Sequence, residues 1–162
     1  SFLQRIRQMG VNRLSMGEQS IDDARLRFLH RRHTAAQAIQ AVRDAQAVGF
    51  TNISIDLMFG FPGQTLGQWK QDVQTALSLQ VQHISAYSLM YEEGTLLERM
   101  LTAGEIVEVD EEVSLQMYEY LMDALEAAGY EHYELSNFAL PGRQSRHNSS
   151  YWHGIPYLGV GA

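Results

Sequence analysis

The segment from Asn52 to Thr65, NISIDLMFGFPGQT, constrains the fold more than any other part of the chain. Its β-branched and apolar start predicts a buried strand, and the Gly-Phe-Pro-Gly turn predicts a break before a capped helix. Asp56 interrupts the apolar run, and a carboxylate costs free energy when it is buried without partners. Ligands of parallel α/β sheets bind near the carboxyl ends of the strands. We therefore expect Asp56 to meet a polar ligand.

Strand and helix patterns alternate along the rest of the chain. The predicted strands are 11–16, 53–58, 83–89 and 130–135, and the predicted helices begin at the caps Ser20, Thr34, Thr65, Thr95 and Asp110. The tail from 137 to 162 is expected to be mostly loop, with an apolar stretch at 157–160. Such strand–helix–strand spacing predicts right-handed parallel crossovers, in either an arc of a β/α barrel or an open doubly wound sheet.

Polar residues near the strand ends favour the barrel over the doubly wound sheet. These residues are Gln19, Asp56, and Ser85 or Ser88. The sequence contains neither G-x-G-x-x-G nor G-x-x-x-x-G-K, so a Rossmann or P-loop nucleotide site is not supported.

Composition excludes several classes of function. The chain contains no cysteine, so its own residues cannot form disulfides, thiolate active sites or iron–sulfur clusters. A net charge of −7 argues against a nucleic-acid partner. No apolar run approaches the roughly 20 residues of a membrane span. The start at Ser1 carries neither an initiator Met nor a signal region, so we expect a cytoplasmic location and a chain cut from a longer one.

Three residues are candidates for binding a polar ligand near the strand ends. Gln19 offers a donor and an acceptor, and Gly17 permits close approach of the backbone. Arg31 could clamp a carboxylate, and Asp56 could accept hydrogen bonds from ribose hydroxyls. Each has a structural alternative: a polar residue at a helix entry, a solvent-exposed arginine, and a carboxylate paired with a buried arginine.

The tail carries a second set of candidates, in the segment His147-Asn148-Ser149-Ser150-Tyr151-Trp152. Histidine is a frequent axial ligand of haem iron, and aromatic side chains pack well on a macrocycle. The alternative is an ordinary packing or surface histidine. Asn137 and Phe138 are similarly ambiguous, because a polar loop that closes a barrel would explain them without a ligand.

These stretches, taken together and in order, resemble a known family. They are GVNRLSMGEQS, HRRH, ISIDLMFGFPGQT, HISAYSLMYEEGT, GYEHYELSNFA, HNSSYW and YLGVGA. The chain resembles the oxygen-independent coproporphyrinogen III oxidase-like proteins of the radical S-adenosylmethionine superfamily. The resemblance implies an α/β fold: the C-terminal portion of a partial barrel, about strands four to six, over residues 1–101. A family-specific extension with a helix, a strand and the HNxxYW loop would occupy residues 102–162.

The resemblance also implies ligands. Gln19, Arg31 and Asp56 match family residues that contact S-adenosylmethionine. The residues His147, Asn148, Tyr151 and Trp152 match an HNxxYW motif associated with haem, with His147 as a possible iron ligand. This motif favours the haem-chaperone branch, which passes haem to acceptor proteins, over the oxidase that decarboxylates coproporphyrinogen. An inert barrel fragment, a membrane-associated acceptor and a dimer remain open.

The chain departs from the family in one large respect. The family's C-x-x-x-C-x-x-C loop is missing, so the [4Fe–4S] cluster is expected only in a longer parent protein. Without thiolates, this chain alone is predicted not to cleave S-adenosylmethionine. We also expect an unpaired strand edge where the first strands of the barrel would pair, which favours aggregation or oligomerisation.

Overall fold

A computed structural model describes residues 1–156, in which five strands form one sheet. The strands are β1 (Leu14–Gln19), β2 (Ile53–Phe59), β3 (His83–Ser88), β4 (Glu131–Glu134) and β5 (Asn137–Ala139). The helices are α1 (Phe2–Gln8), α2 (Asp23–Phe28), α3 (Ala35–Ala47), α4 (Leu66–Ser78), α5 (Leu96–Thr102), α6 (Glu111–Ala127) and α7 (Arg146–Trp152). No helix in this range is long and apolar enough to cross a membrane.

The sheet has the strand order β1-β2-β3-β5-β4. The first three strands are parallel, and helices connect them as in an arc of a β/α barrel. The short strands β4 and β5 form an antiparallel pair that joins the sheet through β5. The α/β class and the arc are thus confirmed, whereas the boundary between residues 1–101 and 102–162 stays a prediction. Within the described residues β1 is an edge strand, with β2 on one side.

Apolar and polar side chains alternate along the strands, so the sheet has an apolar face and a polar face. Ile53, Ile55 and Leu57 of β2 point into the core, as does Ile84 of β3. Helices α3, α4 and α6 cover this face with the buried residues Val42, Ala45, Trp69, Val73, Ala76, Met117, Leu121 and Leu125. The indole Nε1 of Trp69 donates to the Met117 carbonyl at 2.9 Å, which satisfies the polar atom of a fully buried ring.

Side-chain caps fix the starts of most helices where the sequence predicts them. Thr34 and Thr65 form capping boxes with the glutamines three residues later, and Thr95 and Asp110 cap α5 and α6. The cap predicted at Ser20 is wrong. Asp22 caps α2 by accepting from the amides of Ala24 and Arg25, because the Ser20 hydroxyl instead contacts the side chains of Arg25 and Asp72.

Other parts of the local structure differ from the predictions. The first strand begins three residues later than expected and runs to Gln19, and the terminal helix α1 was not predicted. The stretch from 137 to 156 is not mostly loop, since it contains β5 and α7. Ser145 starts α7 by accepting from the Asn148 amide, so the HNxxYW segment is helical. The apolar stretch at 157–160 lies outside the described residues.

Candidate functional site

The face of the sheet opposite the core presents an aligned row of residues, one from each strand. The row consists of Gly17, Asp56, Ser85, Asn137 and Glu134. Asp56 lies on this face because its neighbours Ile55 and Leu57 point into the core. The Ser85 side chain hydrogen-bonds Asp56, and Glu134 accepts from the side chain of Asn137. The face of the sheet opposite the core therefore carries a polar band that runs from Asp56 of β2 to Glu134 of β4.

Gln19 occupies the carboxyl end of β1 in an unusual conformation. Its φ of 64° lies in the left-handed region, which residues other than glycine seldom adopt, and the strand register shifts between Gly17 and Gln19. The side chain is only 8% exposed and folds back over Gly17, so that a Cβ on Gly17 would lie 2.7 Å from Nε2 of Gln19. Because Gly17 pairs with Asp56, the amide is brought beside the polar band.

Asp56 is half-buried, and its ionisation reflects opposing influences. Burial raises the pKa of its carboxyl, while the hydrogen bond from Ser85 and the guanidinium groups of Arg13 and Arg31 lower that pKa. Arg31 itself is exposed, in the segment between α2 and α3. It is nevertheless near enough to favour the ionised form of Asp56. The roles of Asp56 and Arg31 in binding a ligand stay a prediction.

A buried ion pair between Arg25 and Asp72 contacts Ser20, the residue that follows Gln19. Nη2 of Arg25 in α2 donates to both carboxylate oxygens of Asp72 in α4, at 2.8 and 2.9 Å. Nε of Arg25 and the side chain of Asp72 both contact the Ser20 hydroxyl, at 2.8 and 3.4 Å. Sequence reasoning missed this pair, because 47 residues separate its members and neither belongs to a local motif.

Near the amino-terminal ends of the parallel strands, His83 connects side chains on the polar face. Its ring nitrogens contact the Ser54 hydroxyl and the Tyr133 hydroxyl, both at 2.7 Å. Burial, and secondarily Arg13, lower the pKa of His83 to about 4, so the imidazole is neutral near pH 7. The Tyr133 hydroxyl also accepts from the amide of Ser145, the cap of α7. This chain of contacts attaches the HNxxYW helix to the sheet.

Helix α7 divides the predicted haem residues between two adjoining pockets. His147 packs edge-on against Tyr151 and lines a polar pocket of about 560 Å³. Trp152 is 68% exposed and lines a more apolar pocket of about 650 Å³, together with Tyr133 and Ile155. Asn148 is half-buried beside Tyr133. Gly142, Gln144 and Arg146 line both pockets, which makes them neighbours.

The two sets of predicted residues lie at opposite ends of the polar face. The polar pocket is lined by Arg13 and Asn52, which immediately precede β1 and β2, whereas Gln19 ends β1. Arg13 and Gln19 are six positions apart along the strand, which corresponds to about 20 Å. Asp56 lies between them, in the middle of β2. The sequence motifs gave no indication of this separation.

The residues of this chain do not fit an iron–sulfur cluster. Cysteine is absent from the sequence, and within residues 1–156 the histidine, aspartate and glutamate side chains form no group of three or more that could hold a metal ion. Thiolate ligands of a cluster would have to come from another polypeptide segment.

Comparison with known proteins relates the chain to radical SAM proteins and to haem chaperones. Residues 1–76 match the Radical SAM superfamily, and two curated relatives match nearly all of the chain. The Heme chaperone HemW of Lactococcus lactis is 42% identical over 152 residues, which is 94% of this chain and 40% of the relative. The Heme chaperone HemW of Bacillus subtilis is 41% identical over 157 residues, which is 97% of this chain and 41% of the relative.

Over residues 1–76, just under half of its length, this chain is similar to the radical SAM superfamily. The solved structure of coproporphyrinogen III oxidase (HemN) from Escherichia coli, described as a radical SAM enzyme, has the same fold with a TM-score of 0.76. That similarity, at 22% identity, covers 95% of this chain and 35% of the HemN chain. The chain spans about 40% of the length of these curated relatives. S-adenosylmethionine and a [4Fe–4S] cluster are cofactors general to the superfamily.

Proposed function

We propose that this chain is the haem-binding segment of a HemW-like haem chaperone. The observation that carries the proposal is the position of α7, where His147 and Trp152 line two adjoining pockets beside the polar face of the sheet. Relatives about 40% identical that are named haem chaperones support the same function. Haem-acceptor proteins would be the partners, and the cytoplasm the location.

His147 and Trp152 would make different contributions to haem binding. The imidazole of His147 would ligate the iron, and the indole of Trp152 would pack against the macrocycle. The contact between His147 Nε2 and the Tyr151 hydroxyl, at 3.1 Å, would orient the imidazole. The attachment of α7 through Tyr133 and His83 would hold these side chains against the sheet.

Replacing His147 with alanine should weaken haem binding at least tenfold, which corresponds to about 1.4 kcal/mol. The physical reason is the loss of an axial nitrogen ligand. Titration of the chain with haem, followed by the Soret absorbance, measures the effect. The wild-type spectrum should shift on binding, and the shift should disappear in the variant.

Two further histidine variants make this titration specific. His30→Ala removes an exposed histidine far from α7 in the sequence and should leave the Soret shift intact. His153→Ala removes the neighbouring histidine that lines the apolar pocket. Loss of the shift in His153→Ala with retention in His147→Ala would contradict the assignment of His147. Absence of a shift in the wild-type chain would contradict haem binding itself.

S-adenosylmethionine would occupy the carboxyl end of the polar face. The Gln19 amide, which lies over Gly17 beside Asp56, would hydrogen-bond such a ligand, and Asp56 would accept from its ribose hydroxyls. Arg31 would contact the carboxylate of the methionine part. Because the chain has no cysteine, these residues would bind and orient the ligand, and its reductive cleavage would depend on a cluster held elsewhere in the parent protein.

Gly17→Ala tests the S-adenosylmethionine site without truncating a binding group. The new Cβ would meet Nε2 of Gln19 at 2.7 Å and displace the amide, so we expect about tenfold weaker binding by calorimetry. Gly67→Ala is the matched control, because its Cβ would approach only Thr65 Oγ1, at an ordinary 3.8 Å. Equal affinities for the two variants would argue against a role for Gln19.

The alternative function is that of a coproporphyrinogen oxidase segment. The fold shared with HemN favours it, but a likeness at 22% identity concerns the fold alone. The HNxxYW motif and the relatives named haem chaperones favour the chaperone, and the haem titration separates the two functions.

A further inference from the structure

The polar pocket beside α7 is unusual in its charge. Its lining includes Arg13, Arg143, Arg146 and His147, and no aspartate or glutamate among the described residues lines it. The chain as a whole has a net charge of −7, so this accumulation of cations runs against the overall composition. A concave site that is lined by cations attracts anions.

Arg13 is a partly desolvated cation without a carboxylate partner. Its Nη1 donates to Asn52 Oδ1 at 2.8 Å and to the Arg143 carbonyl at 3.3 Å, which are both neutral acceptors. Among residues 1–156, Arg13 forms no ion pair with a carboxylate; the ion pair in this range joins Arg25 and Asp72. Burial lowers the pKa of Arg13, although Asp56 partly opposes this effect. An anion in the pocket would compensate the desolvated charge.

Arg143 and Arg146 add two exposed guanidinium groups on the same pocket. Among residues 1–156, neither side chain makes a hydrogen bond or an ion pair, so both are available to a ligand. The planar guanidinium matches carboxylate geometry through paired N–H donors. Arg146 also lines the apolar pocket of Trp152 and Ile155. The two pockets together suit a flat apolar ligand with carboxylates at one edge.

We propose that Arg13, Arg143 and Arg146 form a carboxylate-binding site that holds the propionate side chains of a bound porphyrin. The porphyrin ring would lie in the adjoining apolar pocket, with its carboxylate edge over the arginines. The identity of the ligand rests on the proposed function, whereas the specificity for carboxylates follows from the arginines themselves. The arginines would fix the orientation of the ring, independently of any contact with its metal.

The test compares two porphyrins that differ in the group each part of the site would recognise. Metal-free coproporphyrin carries a carboxylate on every pyrrole and no iron, and iron etioporphyrin carries iron and no carboxylate. In the double variant Arg143→Gln/Arg146→Gln, coproporphyrin should bind at least tenfold more weakly, and iron etioporphyrin should bind as it does to the wild-type chain. Arg43→Gln, an exposed arginine on α3, is the matched control and should change neither affinity.

The outcomes separate this inference from the haem-binding proposal. One outcome is that coproporphyrin binding depends on the arginines while iron etioporphyrin does not bind. This result would support the carboxylate site and refute iron ligation by His147. Unchanged coproporphyrin affinity in the double variant, or equal weakening of both probes, would overturn the carboxylate site. Displacement of coproporphyrin by equimolar succinate or inorganic phosphate would assign the pocket to a small free anion, and would also overturn it.

Discussion

Replacing Glu18 with glutamine should stabilise the fold, and the gain should grow as the pH rises from about 5 to about 8. Glu18 lies in β1 and is 1% exposed. Within residues 1–156, neither of its carboxylate oxygens has a hydrogen-bonding partner. Burial raises the pKa of this carboxyl from 4.5 to about 7. Burying an unpaired charge is unfavourable, so the native state retains the proton.

The sign of the pH dependence follows from the two protonation states. In the unfolded chain Glu18 ionises near its ordinary pKa of 4.5, whereas in the native state it ionises only near 7. Between these values the native state binds more protons than the unfolded state, so stability falls as the pH rises. The full cost, about 3 kcal/mol, applies above the native pKa. Glutamine removes the titration but keeps a buried amide, so we expect a net gain of about 2 kcal/mol at high pH.

Chemical denaturation of wild type and variant at the two pH values measures this gain. Glu119→Gln provides the control, because Glu119 is an exposed glutamate on α6. Its free energy of unfolding should differ little from that of the wild type at either pH. A gain for Glu18→Gln that does not change with pH would show that Glu18 is not a buried titrating group.

Replacing Arg25 with methionine should destabilise the protein by about 3 kcal/mol. The guanidinium of Arg25 contacts both oxygens of Asp72, and the two side chains are only 12% and 5% exposed. Methionine preserves the apolar stem but leaves a buried carboxylate without its cation. Burial already raises the pKa of Asp72 to about 6, and Arg25 opposes that rise. Without Arg25 the pKa of Asp72 should increase further, so the loss of stability should be larger above about pH 6 than below it.

Denaturation curves of three variants isolate the ion pair. Arg27→Met removes an exposed arginine from the same helix and should cost well under 1 kcal/mol. Adding Asp72→Asn to Arg25→Met removes the unpaired charge and should recover part of the loss. If the double variant is no more stable than Arg25→Met, the loss came from packing in α2 and not from the unpaired carboxylate.

Local chemistry explains which parts of the fold could be predicted from the sequence. Thr34 and Thr65, each followed by a glutamine three residues later, marked two helix starts correctly, because a capping box satisfies backbone amides within one turn. The β2 strand was equally predictable from its alternating apolar residues and the glycine turn that follows. Ser20 was assigned wrongly as a cap, since its hydroxyl is engaged by Arg25 and Asp72, a contact between distant segments.

The sequence predicted which residues belong to the candidate site but not how they are arranged in space. Gln19, Arg31, Asp56 and His147 were recognised from motifs, but no local signal indicated that His147 lies at the opposite end of the sheet from Gln19. The arginine pocket was missed because Arg13 and Arg143 are 130 residues apart and meet only in the folded chain. Glu18 was missed because its burial depends on the packing around β1.

The order of apolar and polar residues in this chain was enough to specify three parallel strands, their connecting helices and a carboxylate within β2. Those features depend on backbone geometry and on contacts within a few residues. Tertiary packing alone determined the buried partner of Arg25, the unpaired state of Glu18 and the two pockets flanking α7. Each of these depends on desolvation and charge between segments far apart in sequence, which no local pattern encodes.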